Sequence, residues 1–166
     1  MQVLFVMVGE RRFAIDCTEV AEVLPVVTHR SAGTGPAWLL GLINVRGALI
    51  PLVDLSIIVG GVATSLRLGS RIIVLKLESE LLDFSTSESD AGSRGASLVG
   101  LLVPEVLGLG ERDFAAPGAH LGFSFAGAPH LGPTIADDEG TVQLLRCRRI
   151  LEGDTALREL PQRAEL

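Results

Sequence analysis

Gly41-Leu42-Ile43-Asn44-Val45-Arg46-Gly47-Ala48-Leu49-Ile50-Pro51-Leu52-Val53-Asp54-Leu55 is the stretch on which the fold turns. Two apolar runs, Trp38 to Val45 and Ala48 to Leu55, flank Arg46-Gly47 and read as a hairpin with a tight turn. Pro51 has no N–H to give to a ladder, so its place is at a sheet edge or a bulge. Asp54 has the character of a helix N-cap, with a short helix expected over Leu55 to Gly60. The charges inside so apolar a hairpin are its odd feature. Arg46 is either an ordinary turn arginine or a bridge to a carboxylate, Glu22 or Asp54, since its planar fork suits bidentate pairing.

Working outward, Val3 to Val8 and Arg12 to Asp16 flank Gly9-Glu10-Arg11 and make a second hairpin. Asp16 and Glu19 have the spacing of a capping box, which predicts a helical turn between them. Val23 to Thr28 is extended around Pro25, and Ser31 to Pro36 is a loop by composition. Arg67 to Leu77, Ser97 to Val103 and Thr141 to Leu145 read as strands, Arg149 to Leu151 and Asp154 to Leu160 as short helices. Short strands with glycine-rich turns point to all-β barrels or a sandwich. The segment from Ser79 to Ser97 holds six serines and four acids against one arginine, an acidic low-complexity loop. Leu81, Leu82 and Phe84 within it continue the preceding strand.

The 166 residues are 48% hydrophobic, and the 19 glycines raise the apolar share to about 59%, against a usual ~45–50%. That excludes a disordered chain. The surplus means either an unusually large core or apolar surface meant for partners. Tyrosine is absent and there is one tryptophan, so aliphatic side chains must fill the interior. A net charge of −6 argues against a phosphate backbone as partner, and no nucleic acid is expected. Val3 to Val8 lacks the basic start of a signal peptide, and Pro36 to Val62 is broken by Asn44, Arg46, Pro51 and Asp54, so direct membrane insertion is not expected. The cytoplasm is the expected address.

No catalytic constellation is present. His29, His120 and His130 have no metal-ligand spacing, and His29 and His130 read as exposed. No serine has a nucleophile-elbow setting, and no glycine cluster has the context of a phosphate loop. Cys17 and Cys147 read as buried, inert thiols. Asp137-Asp138-Glu139 before Gly140 is more simply a hairpin tip than a cation site. Catalytic residues, metal and cofactor are therefore all expected to be none, and the chain reads as a binding module. A β-barrel holding a small apolar ligand is the competing reading.

The ordered pieces resemble the CheW family, the coupling proteins of bacterial chemotaxis-type arrays. They are Phe5 to Gly9, Phe13 to Asp16, Val20 to Leu24, Pro36 to Gly41, Gly41 to Gly47, Ile50 to Leu55, Gly100 to Val103 and Val106 to Leu109, with a weaker match to Leu151. The resemblance implies an all-β fold with minor short helices, two packed five-stranded Src-homology-3-like β-barrels. It places them within residues 1–151, interwoven, with a helix or tail over 152–166. It implies no catalysis. It implies an adaptor joining chemoreceptor cytoplasmic tips (methyl-accepting chemotaxis proteins) to the regulatory domain of a CheA-type histidine kinase, and associated with membrane receptor arrays through protein contacts. Val20, Glu22, Gly41, Asn44 and Arg46 match the receptor-facing positions; Gly100, Leu102, Val106 and Leu109 match the kinase-facing region. Self-association into a ring is left open. The chain departs from the pattern at Pro104, where an aspartate is usual, and in the final strand, Gln143 to Arg149. Those departures suggest service in an alternative chemosensory system.

Overall fold

The computed structural model describes residues 1–77, 97–119 and 128–150. The Ser-rich loop, His120 and the expected C-terminal helix lie outside the described residues, apart from Ser97 at the start of a strand. The first hairpin is β1 (Gln2–Val8) against β2 (Arg11–Asp16), paired from Val3↔Asp16 to Val8↔Arg11. A 3-10 turn over Cys17–Glu19 follows, capped by Asp16, whose carboxylate accepts from Thr18 N–H and Oγ1. The chain then lays down β3 (Val20–Pro25), β4 (Arg30–Ser31), β5 (Leu39–Val45), β6 (Ala48–Asp54), α1 (Leu55–Gly60), β7 (Arg71–Leu77) and β8 (Ser97–Val103). It closes with β9 (Glu105–Glu111), β10 (Leu131–Asp137), β11 (Gly140–Leu145) and α2 (Cys147–Ile150).

Two sheets result, ordered β10-β11-β2-β1-β9 and β3-β7-β8-β6-β5-β4. The first opens with β1 and β2, is left while the whole second sheet is built, and is completed by β9 to β11. Parallel pairings, β11 with β2 and β6 with β8, tie late strands to early ones. The second sheet has six strands rather than five. Its extra member, the two-residue β4, pairs Arg30 with Leu42 and Ser31 with Gly41 at the start of what reads as loop.

The strands that read as unbroken apolar runs are buried on both faces. In β7, Ile72 and Val74 point into the second barrel, while Ile73, Leu75 and Leu77 point to the first sheet. In β1, Val3 and Phe5 fill the first barrel and Leu4, Val6 and Val8 face the second. The largest cluster is therefore the seam, where Phe13, Ile15, Leu39, Val53, Leu55 and Leu101 meet from both sheets. Each such aliphatic side chain contributes roughly 1.5–3 kcal/mol on burial. The apolar surplus of the composition is spent mainly there, inside.

Local chemistry explains the boundaries. Asp54 caps α1 by accepting from Ser56 N–H at 2.9 Å, and Gly61 ends it at φ +72°. Pro51 lies just before β6 begins to pair with β8 at Leu52, where no second ladder needs its N–H. β7 begins at Arg71 because residues 67–70 form a turn, closed by a Ser70 N–H to Arg67 carbonyl bond of 3.0 Å. β10 carries Gly132 and Pro133 within a register shift on the sheet edge, the setting that tolerates proline and hides the strand from sequence reading. One histidine reading is corrected: His130 is 8% exposed, because the turn before β10 packs it inward. Burial, and then the charge of Arg11, lowers its pKa below the usual histidine value. His29 is exposed as expected.

Candidate partner-binding site

The turn between β5 and β6 is two residues long, Arg46-Gly47, and both stand at positive φ, 50° and 86°. That handedness matches the twist of the flanking strands. It costs a non-glycine residue roughly 1–2 kcal/mol. Asn44 Oδ1 accepts the Gly47 N–H at 2.8 Å across the turn. Arg46 sends both terminal nitrogens to Glu22 on β3, each at 2.7 Å. Glu22 lies on the border strand of the sheet and Arg46 at the tip of the hairpin near its other border, so the curl of the barrel brings together residues 24 apart in sequence. The Arg46 side chain is 78% exposed and that of Glu22 21%. Asp54 is not the partner: it is buried and accepts from Ser56 N–H, Thr64 N–H (2.9 Å) and Thr64 Oγ1 (2.7 Å).

The other receptor-facing candidates fall around this pair with different roles. Val20, two residues from Glu22 on β3, is half-buried and packs on the seam. Gly41 is buried at φ +152°, and a Cβ there would lie 1.7 Å from the Arg30 carbonyl oxygen, so it is needed for the close approach of β4. Leu49, opposite Asn44 in the hairpin, is 53% exposed and was not singled out from sequence. The alternation that buries Ile50 is the signal that would have found it.

The kinase-facing candidates divide. Gly100 and Leu102 lie in β8 and are interior: a Cβ at Gly100 would meet Ile43, Ile72 and Leu52 at 3.1–3.3 Å, and Leu102 belongs to the second core. Val106 on β9 is half-buried against the seam, while Leu109 faces outward with Leu107 on the same strand. β9 is an edge strand of the first sheet, and Glu105 and Glu111 bracket its two exposed leucines.

Other polar groups serve the fold. At the mouth of the first barrel, Arg12 and Arg112 both bond Asp137 Oδ2, Arg112 through Nε at 3.0 Å and Nη2 at 2.8 Å, and Arg12 reaches Glu139 at 2.9 Å. Both guanidiniums lie over the Phe5 ring. Burial raises the Asp137 carboxyl, but hydrogen bonds from Arg112 and from the Glu139 N–H, with the charge of Arg12, outweigh it and leave it below the usual aspartate value. The acidic tip of the β10–β11 hairpin is thus met by arginines, and among the described residues no cluster of metal-ligating side chains exists. Glu19 takes hydrogen bonds from Cys147 and an ion pair with Arg148 at 3.5 Å, while burial and then Asp16 raise its pKa. Cys147 is buried and Cys17 partly so; both are free, and burial first, then neighbouring carboxylates, raises both thiols. A cleft of about 570 Å³ between the barrels is lined by Met7, Ser56, Val62, Thr64, Arg67 and Glu105 among others. Its Ser56 and Thr64 hydroxyls lie 2.6 Å apart and bond each other, and Thr64 Oγ1 also donates to Asp54.

Two β-barrels are joined by an apolar seam, and an exposed arginine–carboxylate pair stands on one rim. Residues 2–154 match the family model described as CheW-like domain, and the chain belongs to that family. It is similar to the chemotaxis protein CheW of Rhizobium meliloti (strain 1021), 32% identical over 75 residues, which are 45% of this chain and 48% of that protein. The chain thus spans about half the length of the curated relative it matches. The crystal structure of the scaffolding protein TtCheW from Thermoanaerobacter tengcongensis aligns with a TM-score of 0.72 at 19% identity, covering 94% of this chain and 92% of that one. That likeness establishes the two-barrel fold. Among the described residues no helix is long and apolar enough to cross a membrane.

Proposed function

We propose that this protein is a non-catalytic adaptor that couples the cytoplasmic tips of chemoreceptors to a CheA-type histidine kinase. It acts in the cytoplasm and reaches membrane receptor arrays through protein contacts alone. The observation that carries the reading is the Arg46–Glu22 pair. An arginine is kept in a left-handed turn and set bidentate on a carboxylate, yet most of its side chain is exposed. Strain of this kind, with a rigid scaffold beneath it, is what a recognition site stores. Leu49 and half-buried Val20 supply apolar area beside it, which suits the face of a receptor helix laid against the barrel. The kinase-facing surface rests on Leu107 and Leu109 of β9.

The test is Arg46→Glu, which sets like charges at Glu22. Receptor-tip capture in a pull-down is expected to fall to background while circular dichroism stays native. A native spectrum with unchanged capture overturns the receptor assignment.

A further inference from the structure

We propose that Asn44 is a positioning residue, which sets where the Arg46 guanidinium stands rather than meeting a partner itself. Its consequence for binding rests on the receptor-facing reading of Arg46. Val45 and Ala48 are the last ladder pair of the hairpin, so only Arg46 and Gly47 make the turn, both at positive φ. Asparagine, aspartate or glycine ordinarily takes the first position of such a turn, and arginine sits there against its own preference. Two contacts oppose that preference. Glu22 holds the end of the side chain, and Asn44 Oδ1 holds the backbone through the Gly47 N–H at 2.8 Å. The backbone contact is the one that survives when a partner draws Arg46 or Glu22 away. Asn44 is itself exposed on β5, yet the bond its carbonyl oxygen makes runs inward to its own turn. Without it, Gly47 permits the loop several conformations, and the guanidinium moves with each of them.

The experiment compares Asn44→Ala, Asn44→Asp, Arg46→Ala and the double variant Asn44→Ala/Arg46→Ala. In the free protein, NMR follows the Arg46 Nε–H and Gly47 amide signals; in solution, capture by a receptor-tip helical hairpin is titrated. Asn44→Ala is expected to shift and broaden both signals and to weaken capture roughly tenfold, the upper worth of one neutral hydrogen bond. Asn44→Asp retains the acceptor, so it should keep both signals and capture near wild type. The double variant should bind no more weakly than Arg46→Ala alone. Unchanged Arg46 and Gly47 signals in Asn44→Ala overturn the proposal. So does further weakening of capture on the Arg46→Ala background, which makes Asn44 a direct contact. Full capture by Arg46→Ala sinks the receptor-facing reading instead, and the signals in Asn44→Ala then decide the positioning role by themselves.

Discussion

Each barrel is closed across its mouth by arginine and carboxylate side chains, and the two closures are opposite in kind. In the first barrel Arg12, with a side chain 7% accessible, and Arg112 converge on Asp137, with Phe5 beneath both guanidiniums. In the second, Arg46 meets Glu22 at the open rim, and the arginine side chain is 78% accessible. Removing water strengthens the first set and makes its loss expensive, since a buried charge without a partner is strongly unfavourable. The exposed pair contributes little to stability because solvent screens it. One closure holds a barrel together. The other lies open to solvent, as the proposed receptor contact requires.

The comparison breaks first, and most severely, at Asp137. Asp137→Asn leaves two arginines without their shared carboxylate and is expected to cost about 3–5 kcal/mol in urea unfolding. Because the folded pKa of Asp137 is lowered, its contribution is present above the ordinary aspartate value near pH 4 and is lost as pH falls through the lower folded value. Stability of the wild type should therefore drop over that acid range, and the drop should shrink in Asp137→Asn. A loss below 1 kcal/mol would mean that the buried network is no firmer than the exposed one.

The next effect separates packing from contact inside the second barrel. Gly100→Ala must displace Ile43, Ile72 and Leu52 by a few tenths of an ångström and is expected to cost about 1–3 kcal/mol. Kinase-domain binding by the folded protein should stay unchanged, and isothermal titration checks it. Weaker binding at full stability would return Gly100 to the interface. The smallest effect is at the rim. Arg46→Ala should lower stability by less than about 1 kcal/mol in the same urea titration. A larger loss would make the Arg46–Glu22 pair a structural closure like its counterpart.

Much of this was legible in advance where neighbours in sequence decide the outcome. The β1–β2 and β5–β6 hairpins, the β8 strand and the Asp54 cap depend on alternation and turn chemistry within a few residues. β10 was not legible, because Gly132 and Pro133 erase the strand signal and only edge pairing with β11 restores it. His130 misled because its loop position in the sequence said nothing of its burial in the folded chain. Asp137 read as part of a hairpin tip, and nothing near it in the chain announces Arg12, 125 residues away. Of the expected site residues, Arg46 and Glu22 come together as a pair, and Asn44 joins them through the turn. Gly41, Gly100 and Leu102 prove to be interior.

By itself, the sequence determined that this is an all-β chain, that a tight turn forms at Arg46-Gly47, and that apolar residues exceed what one small core can use. Those follow from backbone sterics and local periodicity. Only the tertiary structure decided that Arg46 takes Glu22 and not Asp54, and that the apolar surplus lies mainly in the seam. It also decided which arginine–carboxylate set is buried. The reason is curvature: strand order and barrel closure choose which distant residues share a rim or a wall, and local propensity carries no information about that choice.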